Sequence, residues 1–359
     1  MRRLPLELAW PPGEVPPRSA SDAWALLPAE LAARGISSAA ATFTALARPW
    51  RWVEGRPDLS PRLLAALDAI GTELPSIERL ERSEDGATKL LLRVGADLVE
   101  AVHMPRNVAA GTRVTLCISS QVGCAMGCSF CATASMGFVR HLSAGEIVGQ
   151  VLVALRALGP RHPGDLTLVF MGMGEPLHNL RHVAHAIRVL ACPTGLGMSP
   201  RRITVSTSGL VPQIGELGAL EVRPLLAISL NATTDEQRQG LMPVNRRYPL
   251  AALRAALESF PLRPRERITV EYVLLAGIND SLADAERLAQ LTSSFPHHIN
   301  LIPFNAHTHA PYRAPADEHV ECFARELAAR GAGLVTVRHS RGRDVQGACG
   351  QLVRAYASA

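Results

Sequence analysis

The sequence is poor in lysine and aromatic residues and has no long hydrophobic run. Lys89 is the only lysine among 37 basic residues, so the net charge of +5 comes from arginine. Aromatic residues make up 4% of the 359 positions. No stretch approaches the roughly 18 apolar residues that span a membrane. The initial Met-Arg-Arg is not followed by the apolar run of a secretory signal. We therefore expect a cytoplasmic protein without a membrane partner.

Cysteine is also scarce, and its distribution is more informative than its number. Seven cysteines in 359 residues are too few for a disulfide scaffold. Three of them crowd between positions 124 and 131, which is typical of metal binding in a reducing compartment. Hydrophobic residues make up 47% and charged residues 19%, so the chain can bury a substantial core. The mild basic excess allows a polyanionic partner such as nucleic acid but does not require one.

The first 78 residues are predicted to form a small accessory helical domain. A proline-rich start is followed by three short helices, at Ala20–Arg34, Ser37–Ala47 and Ser60–Ile70. Ser60 suits the N-cap of the third helix, with Pro61 at its first position. All four tryptophans lie in this part of the chain, and we interpret them as core anchors rather than as a binding platform.

The rest of the chain is predicted to be an α/β domain. Residues 79–109 are expected to connect it to the helical part through a hairpin of Lys89–Val94 and Leu98–Met104. Over residues 110–345 strands alternate with helices, which predicts a parallel, barrel-like sheet with its active site at the C-terminal strand ends. Seven strands are expected, at Arg113–Ile118, Leu166–Phe170, Arg202–Ser206, Leu225–Ser229, Ile268–Leu275, Ile299–Pro303 and Leu334–Arg338.

One motif carries clear chemistry. Cys124, Cys128 and Cys131 form a Cys-x3-Cys-x2-Cys pattern between the first of these strands and a well-capped helix. Thiolates are the usual ligands of iron–sulfur clusters, and three ligands for four irons leave one iron open. S-adenosylmethionine (SAM) can bind that iron through its amino and carboxylate groups. A structural zinc site normally has four ligands in separated pairs. Cys117 or Cys349 could complete one, so zinc remains the alternative to iron.

Further motifs surround this one and narrow the family. They are Gly172-Met-Gly174-Glu175-Pro176, Ser206-Thr-Ser208-Gly209, Ser229-Leu-Asn231, Met242-Pro-Val-Asn245, Ile302-Pro-Phe-Asn305 and the contexts of Cys117 and Cys349. Together they resemble the RlmN/Cfr radical SAM methyltransferases, specifically the RlmN branch. The resemblance runs from about residue 85 to residue 353.

This resemblance implies a partial (βα)6 TIM-like radical SAM barrel with a small N-terminal helical domain. It also implies a C-terminal active-site tail, residues 346–359. Cys124, Cys128 and Cys131 are then the ligands of a 4Fe–4S cluster. The SAM contacts that it implies are Gly174, Glu175, Ser206, Ser229, Leu230, Asn231 and Asn305. Many members of the family have histidine at the position of Asn231, so a backbone contact is expected there.

The resemblance further implies a reaction. The family methylates C2 of an adenine in the peptidyl-transferase loop of 23S rRNA, and RlmN members also methylate the adenine 3′ of the tRNA anticodon. A first SAM methylates a cysteine that matches Cys349, and a second SAM generates the radical that activates this methyl group. A second cysteine, matching Cys117, then releases the product and leaves a disulfide that must be reduced. Glu100 matches the proposed proton acceptor, although a solvated surface charge is the alternative interpretation and Cys117 is a competing base.

Two SAM molecules per turnover and an electron donor such as flavodoxin or ferredoxin follow from this mechanism, and a monomer is expected. Three other functions stay open. A Cfr-type enzyme would methylate C8 of the same rRNA adenine with the same motifs. A zinc-containing RNA-binding protein would need neither iron nor Cys349. A relative with another substrate is also possible, because the first 80 residues depart most from the family pattern.

Overall fold

The structure, a computed structural model, describes residues 22–36, 38–48, 57–108, 111–159, 163–338 and 341–352. Trp24 is buried, as expected of a core anchor, with 4% of its surface exposed. The tryptophans at positions 10, 50 and 52 lie outside the described residues, as does the end of the predicted tail. None of the described helices is long and apolar enough to cross a bilayer.

Short helices precede the sheet. They are α1 (Pro28–Ala33), α2 (Ala39–Leu46) and α3 (Pro61–Asp68), and each lies inside one of the predicted helices. The first predicted helix is shorter than expected, because the chain forms a separate 3-10 turn before α1. Ser60 caps α3 as predicted, since its Oγ accepts a hydrogen bond from the backbone N–H of Leu63 at 3.4 Å.

An antiparallel meander begins a ten-stranded sheet, and a small two-stranded sheet follows it. The meander contains β1 (Ser76–Arg82), β2 (Thr88–Val94), β3 (Asp97–Val108) and β4 (Gly111–Cys117), and the small sheet contains β5 (Gln121–Gly123) and β6 (Phe138–His141). The predicted hairpin is confirmed as β2 and β3. It does not stand apart from the barrel, because β3 pairs with β4 and extends the same sheet.

Six further strands continue the sheet parallel to β4. In spatial order they are β7 (Leu166–Phe170), β8 (Ile203–Thr207), β9 (Leu225–Ser229), β10 (Ile268–Leu274), β11 (His297–Pro303) and β12 (Leu334–Val337). All seven predicted strands are therefore present, and β7 and β9 have the predicted bounds. Each of the six connections between parallel strands contains at least one helix, which gives the partial (βα)6 arrangement.

Eight helices lie within the connections between the parallel strands in the described residues. They are α4 (Ala132–Ser135), α5 (Ala144–Leu158), α6 (Leu180–Ala191), α7 (Val211–Gly218), α8 (Asp235–Leu241), α9 (Leu250–Glu258), α10 (Leu282–Thr292) and α11 (Asp317–Ala329). The start of α5 is fixed by a capping box. Ser143 Oγ accepts from the N–H of Glu146 at 3.2 Å, and Glu146 Oε2 accepts from the N–H of Ser143 at 2.8 Å.

The topology brings the functional motifs to one edge of the sheet. The carboxyl ends of parallel strands share an edge, where ligands bind in folds of this kind. Cys117 is the last residue of β4 and Ser229 the last of β9. Ser206 is the next-to-last residue of β8, and Arg338 directly follows β12. Residues that are far apart in sequence therefore meet at this edge.

Candidate active site

A cleft opens at the carboxyl edge of the parallel strands and collects most of the predicted site residues. The space between its walls, including the part open to solvent, is about 880 Å³. Cys124, Cys128, Cys131 and Cys349 all line it. Five of the seven predicted SAM contacts line it as well, namely Gly174, Glu175, Ser206, Ser229 and Asn231.

Glycine is required at the entrance to the three-cysteine loop. Gly123 has φ +72°, and a Cβ built there would lie 1.9 Å from the carbonyl oxygen of Gly137. That carbonyl accepts a hydrogen bond from the N–H of Cys124 at 2.8 Å. The close approach of the two backbones therefore fixes the position of Cys124, the first cysteine of the motif.

The three cysteines are partly buried and close together, which is unfavourable for thiolates without a metal. Burial raises the pKa of all three thiols. Repulsion from Cys128 adds to the rise at Cys124, and repulsion from Cys131 adds to the rise at Cys128. Bound metal reverses this preference, because it stabilises the deprotonated ligand. The donor set thus fits an iron–sulfur cluster with three protein ligands.

The geometry does not favour the zinc alternative. Among the described residues, no three His, Cys, Asp or Glu side chains are placed to hold a single metal ion. An iron–sulfur cubane differs from zinc because its protein thiolates bind separate irons and need not converge on one point.

The turn after β7 brings backbone and a carboxylate into the cleft. A Cβ on Gly172 would lie 2.6 Å from the carbonyl oxygen of Ile118, and one on Gly174 would lie 2.5 Å from Gln121 Cβ. Glu175 is buried, and its Oε2 accepts from the N–H of Ser208 at 2.7 Å. Burial raises the pKa of Glu175, while its hydrogen bonds oppose that rise. A carboxylate has about four acceptor positions, so room for a ligand donor remains.

Gln121 supports this turn from behind. Its Oε1 accepts from the N–H of Glu175 at 2.8 Å, which makes its Nε2 the donor. That nitrogen lies 3.0 Å from Nδ1 of both His141 and His178. Both rings must therefore be unprotonated at Nδ1. Burial lowers the pKa of His141 to about 4 and also lowers the pKa of His178, which keeps both histidines neutral.

Glu271 is a site residue that the sequence analysis missed. It lies on β10, lines the cleft and is 7% exposed. Its Oε2 accepts from Ser206 Oγ at 3.2 Å, and Ser206 Oγ lies 3.5 Å from Ser229 Oγ. Burial raises the pKa of Glu271. The available signal was a carboxylate inside an otherwise apolar predicted strand, a placement that proteins rarely adopt without a function or a partner.

Two predicted SAM contacts lie behind the cleft wall. Leu230 and Asn305 are buried but do not line the cleft. The Asn305 side chain instead donates to the carbonyl oxygen of Cys349 at 3.0 Å, so it holds the C-terminal tail. Asn231 lines the cleft in a left-handed conformation, φ +56°, which asparagine tolerates better than most residues. Its Oδ1 accepts a hydrogen bond from the N–H of Val273 on β10, at 2.8 Å.

Two of the four cysteines outside the motif line an adjoining pocket. Cys117 and Cys349 line it together with Met171 and Arg338, and Cys349 borders the main cleft as well. Both are free thiols here. Burial, reinforced by Cys349, raises the pKa of Cys117 to about 12, and Arg338 opposes the rise at both thiols.

Separate hydrogen bonds hold the tail that carries Cys349 against two neighbours. One is α4, which follows the three-cysteine loop (from here on the metal-binding loop), and the other is the loop after β11. The carbonyl of Gly350 accepts from the N–H of Ala132 at 2.8 Å. Thr133 Oγ1 donates to the carbonyl of Leu352 at 2.6 Å. Gln351 Nε2 donates to the carbonyl oxygen of Ala306, at 2.8 Å.

Glu100 is buried rather than solvated. It is 1% exposed on β3, and its Oε1 lies 3.5 Å from the ammonium nitrogen of Lys89. Lys89 also contacts Glu81 at 2.8 Å. The interpretation of Glu100 as a solvated surface charge is therefore wrong. The carboxylate does not line the main cleft, but it lies on the strand that pairs with β4, which ends in Cys117.

Comparisons with known proteins agree with this site. The radical SAM superfamily profile matches residues 118–289. The dual-specificity RNA methyltransferase RlmN of Anaeromyxobacter sp. (strain Fw109-5) is 54% identical over 303 residues, covering 81% of this chain and 78% of that protein. The protein of the same name from Sorangium cellulosum (strain So ce56) is 45% identical over 367 residues, covering 90% and 92% respectively.

A solved structure supports the same relationship. The crystal structure of a radical SAM methyltransferase from Sphaerobacter thermophilus has a TM-score of 0.83 with this structure and 41% sequence identity. The similarity covers 92% of this chain and 98% of the other. Because sequence and fold agree over most of the length, this chain belongs to the RlmN family of dual-specificity RNA methyltransferases, within the radical SAM superfamily.

Proposed function

We propose that this enzyme methylates C2 of an adenine in the peptidyl-transferase loop of 23S rRNA and C2 of the adenine 3′ of the tRNA anticodon. One observation carries the proposal. The three-cysteine loop and Cys349 share a cleft, and Cys117 lies in the adjoining pocket. Adenine C2 is electron-poor and does not attack a SAM methyl group directly. A cysteine that carries the methyl group and a second thiol that releases the product, both beside a metal site, provide a route to C2 that does not need C2 to act as a nucleophile.

Membership of the superfamily implies a 4Fe–4S cluster and SAM. In the proposal, Cys124, Cys128 and Cys131 hold the cluster, and Gly174, Glu175, Ser206, Ser229, Leu230, Asn231 and Asn305 surround SAM directly or support the walls. When bound, these groups supply the electron, the methyl group and the hydrogen-abstracting radical, with two SAM molecules used per turnover.

Cys349 acts as the methyl carrier. Its thiol borders both the cleft and the adjoining pocket, so a small tail movement lets the sulfur face either SAM or the base. Burial raises the pKa of Cys349, and the Arg338 charge opposes that rise, so Arg338 is the contribution that favours the nucleophilic thiolate. Gly347 and Gly350 flank this segment and give the backbone the freedom that the movement requires.

Cys117 acts as the releasing thiol. Once a methylene carbon joins the Cys349 sulfur to the base, the Cys117 thiolate attacks the Cys349 sulfur, and the carbon leaves with the electron pair of its bond to sulfur and takes up a proton to become the methyl group. A Cys117–Cys349 disulfide results, and two electrons from an external thiol reductant regenerate the free thiols seen in the structure. Glu100 is the proposed acceptor of the C2 proton, and its burial beside Lys89 supports a role other than surface charge.

Partners follow from this chemistry. The electron donor is a low-potential protein such as flavodoxin or ferredoxin, and the enzyme works as a monomer in the cytoplasm. Arg201 and Arg246 are exposed, and we expect them to bind RNA phosphates. Arg140 and Arg341 are engaged within the protein, by Asp97 and Glu146 and by the carbonyl of Pro105, respectively.

Nucleoside analysis of rRNA and tRNA tests the proposal. A strain that lacks the gene is complemented with the wild-type enzyme or with Cys349→Ala, and 2-methyladenosine is measured in digests by mass spectrometry. We expect the wild type to restore the nucleoside in both RNAs and Cys349→Ala to restore neither. Persistence of 2-methyladenosine in both RNAs of the deletion strain would refute the substrate assignment, and 8-methyladenosine would identify the Cfr-type reaction.

The purified enzyme tests the roles of the thiols. Reconstituted Cys117→Ala should retain iron and accumulate a covalent protein–RNA adduct, because the releasing sulfur is missing. The matched control is Cys192→Ala, which removes a free cysteine outside the cleft and should release product normally. Wild-type protein that binds zinc and no iron would support the non-catalytic alternative.

A further inference from the structure

Arg238 on α8 is a fully buried cation that the reaction above does not use. None of its surface is exposed. Its guanidinium lies behind the cleft wall and binds the backbone of two turns there. Nη2 donates to the carbonyl oxygen of Ser208 at 2.6 Å and lies 3.3 Å from that of Ser229. Nε donates to the carbonyl oxygen of Leu230, at 3.1 Å.

The charge of Arg238 has no carboxylate directly against it in the described part of the chain. Nη1 donates to Asn245 Oδ1 at 3.1 Å, so the hydrogen-bond acceptors of this guanidinium are all neutral oxygens. Asn245 in turn donates to Asp235 Oδ1 at 2.8 Å, which places the nearest anion one residue further away. Burying a charge without a contacting counter-ion is costly, so such residues are usually retained for a function.

The metal-binding loop lies within the electrostatic reach of Arg238. Ser208 and Ser229, whose carbonyls Arg238 contacts, line the same cleft as Cys128. Burial lowers the pKa of Arg238 itself to about 10, so the side chain stays protonated at neutral pH. The same helix holds this loop physically, because the carbonyl of Leu241 accepts from the N–H of Ser129 at 2.9 Å.

We propose that Arg238 is the fixed counter-charge of the thiolate-bound cluster and a clamp on the turns that follow β8 and β9. A cluster with three thiolate ligands is anionic, and one-electron reduction adds a further negative charge. A buried cation stabilises the reduced form more than the oxidised form and therefore raises the reduction potential. The planar guanidinium also fixes the Ser208 and Leu230 carbonyls at once, which a point charge cannot do equally well.

The inference rests on the cluster assigned under the proposed function, but not on the identity of the RNA. Its test uses the full-length, reconstituted protein under anaerobic conditions. Arg238→Gln removes the charge, and Arg238→Lys keeps the charge but loses the planar fork. Arg223→Gln is the matched control, since Arg223 is also buried but pairs with Glu266 and does not line the cleft. The potential is titrated with dithionite by electron paramagnetic resonance, and the Kd of SAM is measured by calorimetry.

For Arg238→Gln we expect the ratio of reduced to oxidised cluster, at the wild-type midpoint, to fall about tenfold, or 59 mV for one electron. Its Kd for SAM should rise about tenfold, which corresponds to roughly one lost charge-assisted hydrogen bond. Arg238→Lys should keep the wild-type potential and show the weaker SAM binding. Arg223→Gln should change neither property.

Arg238→Gln with full iron content and the wild-type potential would overturn the counter-charge. An equal shift of the reduction potential in Arg238→Lys would also overturn the counter-charge. Wild-type SAM affinity in the lysine variant would overturn the clamp. If the glutamine variant does not assemble a cluster, the lysine variant decides both parts alone. Wild-type enzyme that binds iron and cleaves SAM but methylates no RNA would defeat the proposed function and leave the role of Arg238 intact.

Discussion

Replacing Gly123 by alanine should disable the metal-binding loop, whereas the same change at Gly137 should not. Gly123 ends β5, Gly137 directly precedes β6, and the two have similar φ angles, +72° and +68°. An alanine at either position pays about 1–2 kcal/mol for the left-handed conformation. Their surroundings differ sharply, because a Cβ on Gly137 meets nothing within 4 Å. The pair therefore separates backbone strain from steric conflict.

The conflict at Gly123 adds two further contributions. The new Cβ would lie 1.9 Å from the Gly137 carbonyl oxygen, so one of the backbones must move. Overpacking of this kind costs about 1–3 kcal/mol. Displacing that carbonyl also weakens its hydrogen bond from the N–H of Cys124, now 2.8 Å long, which is worth about 0.5–1.5 kcal/mol. We expect Gly123→Ala to destabilise the loop by about 2–4 kcal/mol more than Gly137→Ala.

Iron content and unfolding of the two variants measure this difference. A gap of about 2–4 kcal/mol makes the ratio of native to non-native loop at least about thirtyfold smaller in Gly123→Ala than in Gly137→Ala. After identical reconstitution, Gly137→Ala should therefore hold nearly the wild-type amount of iron, and Gly123→Ala much less. Thermal unfolding of the iron-free proteins should rank them in the same order. Equal iron content and equal melting temperatures would show that the close backbone approach does not determine the loop.

Three other changes test separate parts of the structure. Lys89→Met leaves the Glu100 carboxylate buried without its ammonium contact, so urea unfolding should show a loss of about 3–5 kcal/mol, and adding Glu100→Gln should recover part of it. The pKa of His141 is about 4 in the fold against 6.5 when unfolded. The unfolded chain thus binds more protons between these values, and stability should fall as pH drops from 6.5 towards 4, less steeply in His141→Asn. Gln351→Ala removes two tail hydrogen bonds, to the carbonyl of Ala306 and from the N–H of Ala348, and should speed alkylation of Cys349 in the iron-free enzyme about 5-fold or more.

The parallel half of the fold could be predicted because its strands carry a local signal. β7 and β9 are short apolar runs bounded by turns, and buried parallel strands are typically of this kind. The capping box of Ser143 and Glu146 fixed the start of α5 in the same local way. β1 escaped prediction because its residues are mostly exposed and strongly charged. Only its pairing with β2 makes it a strand, and charge is typical of such sheet edges.

The site was predictable where function resides in motif residues and not where it resides in their supports. The thiols and the glycine turns follow from spacing and resemblance. Gln121, Glu271 and Arg238 could not be predicted in this way, because each is a polar residue whose importance comes from what the fold places around it. In the sequence only Glu271 interrupts an apolar run, whereas Gln121 and Arg238 have polar neighbours and nothing local marks them. Their burial and their hydrogen bonds to distant loops appear only once the strands are assembled.

The supports also explain which part of the site can move. Arg238 and Gln121 tie the cleft walls from inside the barrel through buried hydrogen bonds, so those walls are organised before any ligand binds. The tail that carries Cys349 is held by separate hydrogen bonds that involve Asn305, Ala132, Thr133 and Gln351. Each of these bonds contributes only about 0.5–1.5 kcal/mol. In the proposed function Cys349 visits two partners in one cycle, and we expect the motion that this requires in the segment around Cys349 rather than in the metal-binding loop.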